Sequence, residues 1–527
     1  MLAAMSVDAQ QAPELSRIVV NILVDQLRTD YMEAFAPLYG EGGFKRLMAE
    51  ARYYSDAQMP FRQPDRASAA ACVSTGAVPF VNGIPAMSWL SRQTLQPVYC
   101  VDDARYKGLQ TDERTSPTYL LTTTVADELK LATARRALVY SIAAERDMAV
   151  LMAGHVADGV FWLNDRDAAW SGTSYYGEMP SWVSYHNSSS PIASRLKKLE
   201  WEPVYEGAYE SFHYFHSNAE AKAKPFNHKF KGDRRIREFK QSGLVADEVA
   251  DLVERCLEST AIGRDATPDL LCVGLYAGGF DGQDVATAPA ELQDTYVRLD
   301  SALARVINKV EKTVGRGRAI FVVTSTGYST TDAATAGYEQ IGMTPSTFSM
   351  ERASLLLNMY LSAIHGQAQY VTTTRDSHIY LDAKLIEQRQ LHMSDVLARC
   401  EEFLSQMAGV RAVFTANELV LANGDNSIAA LSHNTLMATR NGWAPARSGD
   451  IIVEVMPGWN VECQNPRTYI EPGQAHTAFP LFVLGPDVTS QRITTPVATT
   501  VIAPTLAACL RIRAPNGSTE APLTLKE

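Results

Sequence analysis

RIVVNILVDQ, residues Arg17 to Gln26, decides the fold. From Ile18 to Val24 the run is apolar except for Asn21, and it does not alternate with polar residues. A strand covered on one face alternates; a continuous β-branched run is what a strand buried on both faces requires. The run stops at Asp25-Gln26. Polar residues at the carboxyl end of a buried parallel strand stand where α/β sheets place their ligands.

Working outward, the same kind of run recurs at ALVYSI (Ala137 to Ile142), LLCVGL (Leu270 to Leu275), AIFVVT (Ala319 to Thr324) and FPLFVL (Phe479 to Leu484). Met148 to Met152 reads as a further short strand. Helical spacing is expected over Thr29 to Ala36, Gly42 to Ala51, Ala67 to Thr75 (ending at Gly76), Thr122 to Ala134, Leu292 to Lys312 and Thr499 to Leu510. Strands alternating with helices imply an α/β fold: a large, mostly parallel central sheet covered by helices on both faces. Residues 160–240 and 345–470 are richer in aromatics and turn residues and read as inserted cap segments. The expected division is a leader remnant or disordered stretch at 1–16 and one domain over 17–527.

Composition narrows the function. The 527 residues carry a formal charge of -11, so a basic nucleic-acid face is not expected. The basic run Lys222 to Arg237 reads as solvated surface. Seven cysteines form no CxxC and no Cys/His cluster, which argues against a zinc-finger site and leaves free thiols or one or two disulfides open. Residues 1–12 resemble the tail of a secretory signal ending in Val7-Asp8-Ala9, so a periplasmic or exported protein is expected. No run of 18 apolar residues exists, so no transmembrane helix is expected.

Several segments then resemble one family in chain order: VDQLRTDYMEAF with YYSDA (Val24 to Ala57), STGAVPFVNGIPAMSW (Ser74 to Trp89), YCVDD (Tyr99 to Asp103), SPTYLLTTTVADELK (Ser116 to Lys130), SGTSYYGEMPSWVSYHN (Ser171 to Asn187), ELQDTYVRLDSALARVI (Glu291 to Ile307), RSGDIIVEVMPGW (Arg447 to Trp459) and AFPLFVLG (Ala478 to Gly485). They are similar to phosphate-irrepressible alkaline phosphatases, a type I phosphodiesterase/nucleotide pyrophosphatase-like branch of the alkaline phosphatase superfamily. The resemblance implies two zinc ions held by Asp and His, a Thr or Ser nucleophile at a helix N-terminus, and Asn, Lys and Arg groups on the phosphoryl oxygens.

The residues at those positions depart from the pattern. Asp25 matches the first metal-ligating Asp. The nucleophile motif falls on RASAAACVSTG, which puts Arg66 at the nucleophile position. A guanidinium neither attacks phosphorus nor ligates zinc. The phosphate-orienting Asn falls on Met87, and the Lys-x-Arg pair on Ala144 and Arg146. The later metal positions fall on Gly279 and Gln283, on Ser325 and Thr326, and near Tyr469. Asp281, Asp284, Asp332 and His476 are nearby ligand types that do not restore the family spacing. Ser325, Thr326 and Thr330 lack an adjacent His or Lys base. His155 reads as a hydrogen-bonding core or cap residue, and Trp162, Trp170, Tyr175, Tyr176, Trp182 and Tyr185 as packing.

These departures lead to the expectation of a catalytically degenerate family member. It would work by binding an envelope protein or a phosphate- or sulfate-bearing ligand, with Arg66 and Arg146 as candidate anion binders and no cofactor. Asp25 and Arg66 are expected to pair in place of the metals. Two alternatives stand beside it: an active phosphomonoesterase or phosphodiesterase with a rebuilt zinc site, and a structural subunit of an envelope complex.

Overall fold

A computed structural model describes residues 16–205, 226–283, 287–329, 346–431, 433–456, 458–462, 469–470 and 478–526. The opening run forms β1 (Ile18–Asp25), and all eight of its residues are buried. The central sheet also contains β2 (Arg52–Gln58), β3 (Val139–Ala143), β4 (Gly159–Leu163), β5 (Trp170–Thr173), β6 (Asp269–Tyr276), β7 (Ala319–Ser325) and β8 (Phe479–Leu484). Their spatial order is β2-β8-β7-β1-β6-β3-β4-β5. The middle, β7-β1-β6-β3-β4, is parallel throughout, with Ile18 opposite both Asp269 and Ala319. Strand β8 runs antiparallel between β7 and β2, and β5 antiparallel to β4. The sheet is therefore mixed, with a parallel centre of five strands and antiparallel neighbours on either side, and most of its pairings are parallel as expected.

Helices cover both faces of this sheet. They include α1 (Arg66–Thr75), α2 (Val125–Ala132), α3 (Arg146–Ala153), α4 (Arg235–Lys240), α5 (Leu244–Ser259) and α6 (Pro289–Val314). Side chains of α5 and α6, such as Val249, Val253, Leu299 and Val306, share one core with the alternate positions Ile18, Val20 and Ile22 of β1. Val19 and Leu23 face the other core, with Ala69, Ala70 and Val73 of α1 and Ala149 and Val150 of α3. Both faces are apolar, which is why the strand's sequence shows no alternation.

Two expectations change here. Met148 to Met152 is not a strand but the body of helix α3, in which every residue from Asp147 to Ala153 is buried. A short helix pressed between a sheet and another helix is apolar all round, so its sequence looks like a buried strand. The segment 160–240 is also not wholly an insertion. Its start supplies β4 and β5, and Trp162 and Trp170 sit fully buried in them.

The later of the two segments builds its own small sheet, in the order Val371–Arg375, His378–Leu381, Ile451–Val455, Val410–Thr415, all antiparallel. The helices Met350–His365 and Met393–Leu404 pack on it through a separate apolar core that includes Leu357, Leu361, Val396 and Cys400. Arg62–Glu454 and Arg92–Asp450 ion pairs, each at 3.0 Å, tie this lobe to the loop that follows β2 and to the turn between the short strands Ser88–Leu90 and Pro97–Tyr99. Among the described residues no helix is long and apolar enough to cross a membrane. The six described cysteines are free thiols.

Candidate active site at the carboxyl end of the central strands

The site gathers where β1 and β7 end. Asp25 closes β1, and the chain turns at once through Gln26, which takes a left-handed conformation (φ 64°). The Gln26 amide donates to Thr326 Oγ1 at 2.9 Å, and the Thr326 hydroxyl donates to Asp25 Oδ1 at 2.9 Å. The Tyr328 hydroxyl lies 3.4 Å from Asp25 Oδ2. Burial pushes the Asp25 carboxyl up to about 6, with the Arg66 charge and the two hydroxyls acting the other way. At that value it exchanges a proton close to neutral pH.

Arg66 is the first residue of α1. Asp65 caps that helix by accepting from the Ser68 amide at 2.9 Å, and it also accepts from the Met87 amide at 2.5 Å. Met87 thus meets the site through its backbone. A cation at a helix N-terminus opposes the helix dipole, so Arg66 needs carboxylates, and it has three. Its Nε donates to Asp147 at 2.8 Å and 3.1 Å. Its Nη2 lies 3.4 Å from Glu145, and its Nη1 lies 3.7 Å from Asp25. Its side chain is 14% exposed, whereas that of Asp147 is fully buried.

Asp147 belongs to the first turn of α3, so the starts of α1 and α3 meet across this ion pair. On its other side Glu145 contacts Lys240, the last residue of α4, at 3.0 Å. Burial alone would raise the Glu145 carboxyl, but Arg66 and Lys240 outweigh it and bring it down to about 2. Lys240 also donates to Asp165 at 2.8 Å and is itself buried.

The other expected residues are distributed differently. Arg146, next to Asp147, turns to its own partners: Asp102 at 2.9 Å, Thr115 at 3.1 Å, Glu113 at 3.6 Å and the face of the Tyr99 ring. Its ion-pair partners are thus distinct from those of Arg66. Ala144 lines a small cavity beside Asp25. Gly279 accepts from the Tyr276 hydroxyl through its carbonyl, and Gln283 is exposed. Ser325 is buried and accepts from the Gly327 amide. Asp281 is taken up by Arg234 and Arg237 of the basic run. Asp284, Thr330, Asp332, Cys463 and His476 lie outside the described residues, as does the side chain of Tyr469. Trp162 and Trp170 are core; Tyr175 and Tyr176 pack edge to face; Trp182 packs on Phe161; Tyr185 is exposed.

His155 is a bridging residue, as its sequence context suggested. Its Nδ1 lies 2.9 Å from Asp127 and its Nε2 3.1 Å from the Leu120 carbonyl, two acceptors that a charged imidazolium satisfies together. Burial alone would lower its pKa; the Asp127 hydrogen bond and charge outweigh burial and hold it above the ordinary histidine value. A raised histidine stabilises the fold fully below about pH 6.5 and loses that contribution as pH rises through the folded value. Urea unfolding of His155→Gln against wild type is therefore expected to show a deficit of about 1 kcal/mol at pH 6 that narrows by pH 9. An equal deficit at both pH values would exclude the charged bridge.

The donor set can be tested for a two-metal centre. Zinc needs three or four N, O or S ligands at about 2 Å. Among the described residues no group of three His, Cys, Asp or Glu side chains is arranged to hold a metal ion. Arg66 stands between Asp25 and the carboxylates of Asp147 and Glu145, and it cannot ligate. The described residues do not fit the metal pair.

The decisive comparison covers the chain's length. Residues 19–476 match the family described as type I phosphodiesterase / nucleotide pyrophosphatase. The chain belongs to this family. Its relatives within the alkaline phosphatase superfamily include alkaline phosphatase PhoV of Synechococcus elongatus, 27% identical over 95% of this chain and 91% of that protein. Alkaline phosphatase PafA of Elizabethkingia meningoseptica is 26% identical over 99% and 96%. The crystal structure of wild-type PafA superposes with a TM-score of 0.81 at 22% identity, covering 97% of this chain and 99% of that one, so the type I phosphodiesterase fold is shared across its whole length. These relatives overturn the expectation of a purely binding, catalytically degenerate protein: the likeness runs along nearly the full length of proteins named as phosphatases, and nothing in the comparisons singles out a non-catalytic branch. That expectation had weighed the substituted positions alone.

Sequence reasoning placed Asp25, Arg66 and Thr326 in the site. It missed Glu145, Asp147, Lys240 and Tyr328. Asp147 carried one usable signal, an acidic residue in the first turn of a helix, which the misread strand concealed.

Proposed function

We propose that this chain is an exported hydrolase of phosphate mono- or diesters. The observation that carries the reading is the retained Asp25 at the carboxyl end of β1, in a family member whose relatives are named alkaline phosphatases along nearly their full lengths. The signal-like residues 1–12 support the exported location.

The geometry suggests how these side chains divide the work. Arg66 is anchored through Nε by Asp147. Among the described residues its terminal nitrogens reach carboxylates at the longer distances to Asp25 and Glu145 given above, and they are the donors that meet phosphoryl oxygens. Asp25, with its carboxyl near 6, holds or releases a proton beside them. Thr326 and Tyr328 orient that carboxyl. Lys240 keeps Glu145 ionised and so keeps Arg66 in place.

Hydrolysis of p-nitrophenyl phosphate and bis(p-nitrophenyl) phosphate between pH 5 and 9 tests this. Wild type is expected to turn over at least one of them, and Asp25→Asn to reduce the rate by about 100-fold or more. No turnover above buffer, or turnover indifferent to Asp25→Asn, would refute the reading.

A further inference from the structure

We infer that the Arg66 guanidinium is the resident cation of this site, standing where the family's metal centre belongs, and that the chain takes up no stoichiometric zinc at Asp25. The inference takes the location of the site from the family reading, but it does not depend on turnover.

Three observations converge on it. The first is position: Arg66 lies within ion-pair reach of Asp25, Glu145 and Asp147 together, so one guanidinium serves three carboxylates drawn from two separate parts of the chain. The second is how Arg66 is fixed. Its Nε donates to a fully buried carboxylate that also accepts from the Met148 amide, so Asp147 is itself locked to the start of α3. A metal ion approaching Asp25 would meet a cation that cannot swing away without leaving Asp147 buried and unpaired. The third is the role of the neighbours. Thr326 and Tyr328 spend their hydroxyls as donors to Asp25, which compensate a carboxylate lacking a metal. Gly279 has no side chain to offer, and Gln283 is exposed at the surface.

Without Arg66, Asp25 and Asp147 would be left without a countercharge, while Glu145 keeps Lys240 at 3.0 Å. The wild-type chain thus carries the cation of this site covalently.

The test is metal content, measured by mass spectrometry on full-length protein purified with and without added zinc, together with melting temperatures in zinc and in chelator. Wild type is expected to hold well under one zinc per chain, with a melting temperature unmoved by either addition. Arg66→Thr is expected to melt several degrees lower than wild type, in zinc and in chelator alike. One or more zinc per wild-type chain, lost in Asp25→Asn, would overturn the inference. So would an Arg66→Thr protein that folds and melts together with wild type. Should that variant fail to fold, the wild-type zinc content decides alone. The outcomes separate this inference from the proposed function: turnover with zinc held at Asp25 sinks the inference and keeps the hydrolase, while absent zinc with absent turnover does the reverse.

Discussion

Arg66→Ala is expected to destabilise the fold by about 3–5 kcal/mol at pH 8, the usual cost of stranding a buried charge. The loss falls unevenly on the three carboxylates. Glu145 keeps Lys240 at 3.0 Å. Asp147 keeps the Met148 amide but loses both contacts to Arg66 Nε, and it has no exposure to water. Asp25 keeps its two hydroxyl donors and loses its countercharge. The Asp25 carboxyl already stands near 6 because burial outweighs Arg66. Without Arg66 its proton is bound more tightly in the folded state. A raised carboxyl lowers stability as pH climbs from the unfolded value towards the folded one, so the deficit is smaller at pH 5.5 than at pH 8. Urea unfolding at the two pH values reads both parts. A change under about 1 kcal/mol at pH 8 would mean that water replaces the guanidinium freely.

Trp201→Ala is expected to cost about 3–5 kcal/mol as well, through a cavity rather than a charge. Trp201 is fully buried although it lies in the segment read as an insertion. Its ring sits 4.8 Å from that of Phe226 and 5.2 Å from that of Phe280, centroid to centroid. Its Nε1 donates to Asp294 on α6 at 2.6 Å, and the same carboxylate accepts from the Val204 amide and from Arg298. Removing the indole opens a large void and withdraws a donor from a buried carboxylate. Denaturant titration followed by circular dichroism would measure the loss. A midpoint close to wild type would show that the segment contributes little to the stability of the main sheet.

The sequence made some elements plain for a physical reason. The runs at β1, β6 and β7 are apolar on both faces, and only a doubly covered strand of that length needs such a composition. Alternation of strands and helices then gave the architecture. Met148 to Met152 misled because a helix buried all round loses its stripe. The antiparallel placement of β8 was hidden, since nothing within FPLFVL records the direction of its neighbours.

In the site, Asp25 and Arg66 were found through motif register. Arg66's strongest partner is 81 positions further along the chain, and no local spacing joins them. Lys240 was missed because it follows a basic run that reads as solvated. Its neighbours Arg234 and Arg237 do pair at the partly exposed Asp281, while Lys240 itself turns inward to Glu145. The function was the least legible part, because counting substituted ligands says what one mechanism lacks and not what the remaining groups achieve.

Strand β2 forms early in the chain, yet every strand it touches comes from the end: Phe479–Leu484 on one edge, Gln491–Ile493 and Val497–Ala498 on the other. The sheet therefore closes like a clasp whose two halves are made more than 400 residues apart. Residues 52–58 leave the ribosome long before any partner exists for their backbone amides, and they wait for almost the entire chain. Such distant pairing must overcome the full entropy of joining the ends of a long loop before it gains anything. Completion of this fold is thus a late, all-at-once event, and until β8 docks, both β2 and β7 keep open edges towards any strand that arrives first.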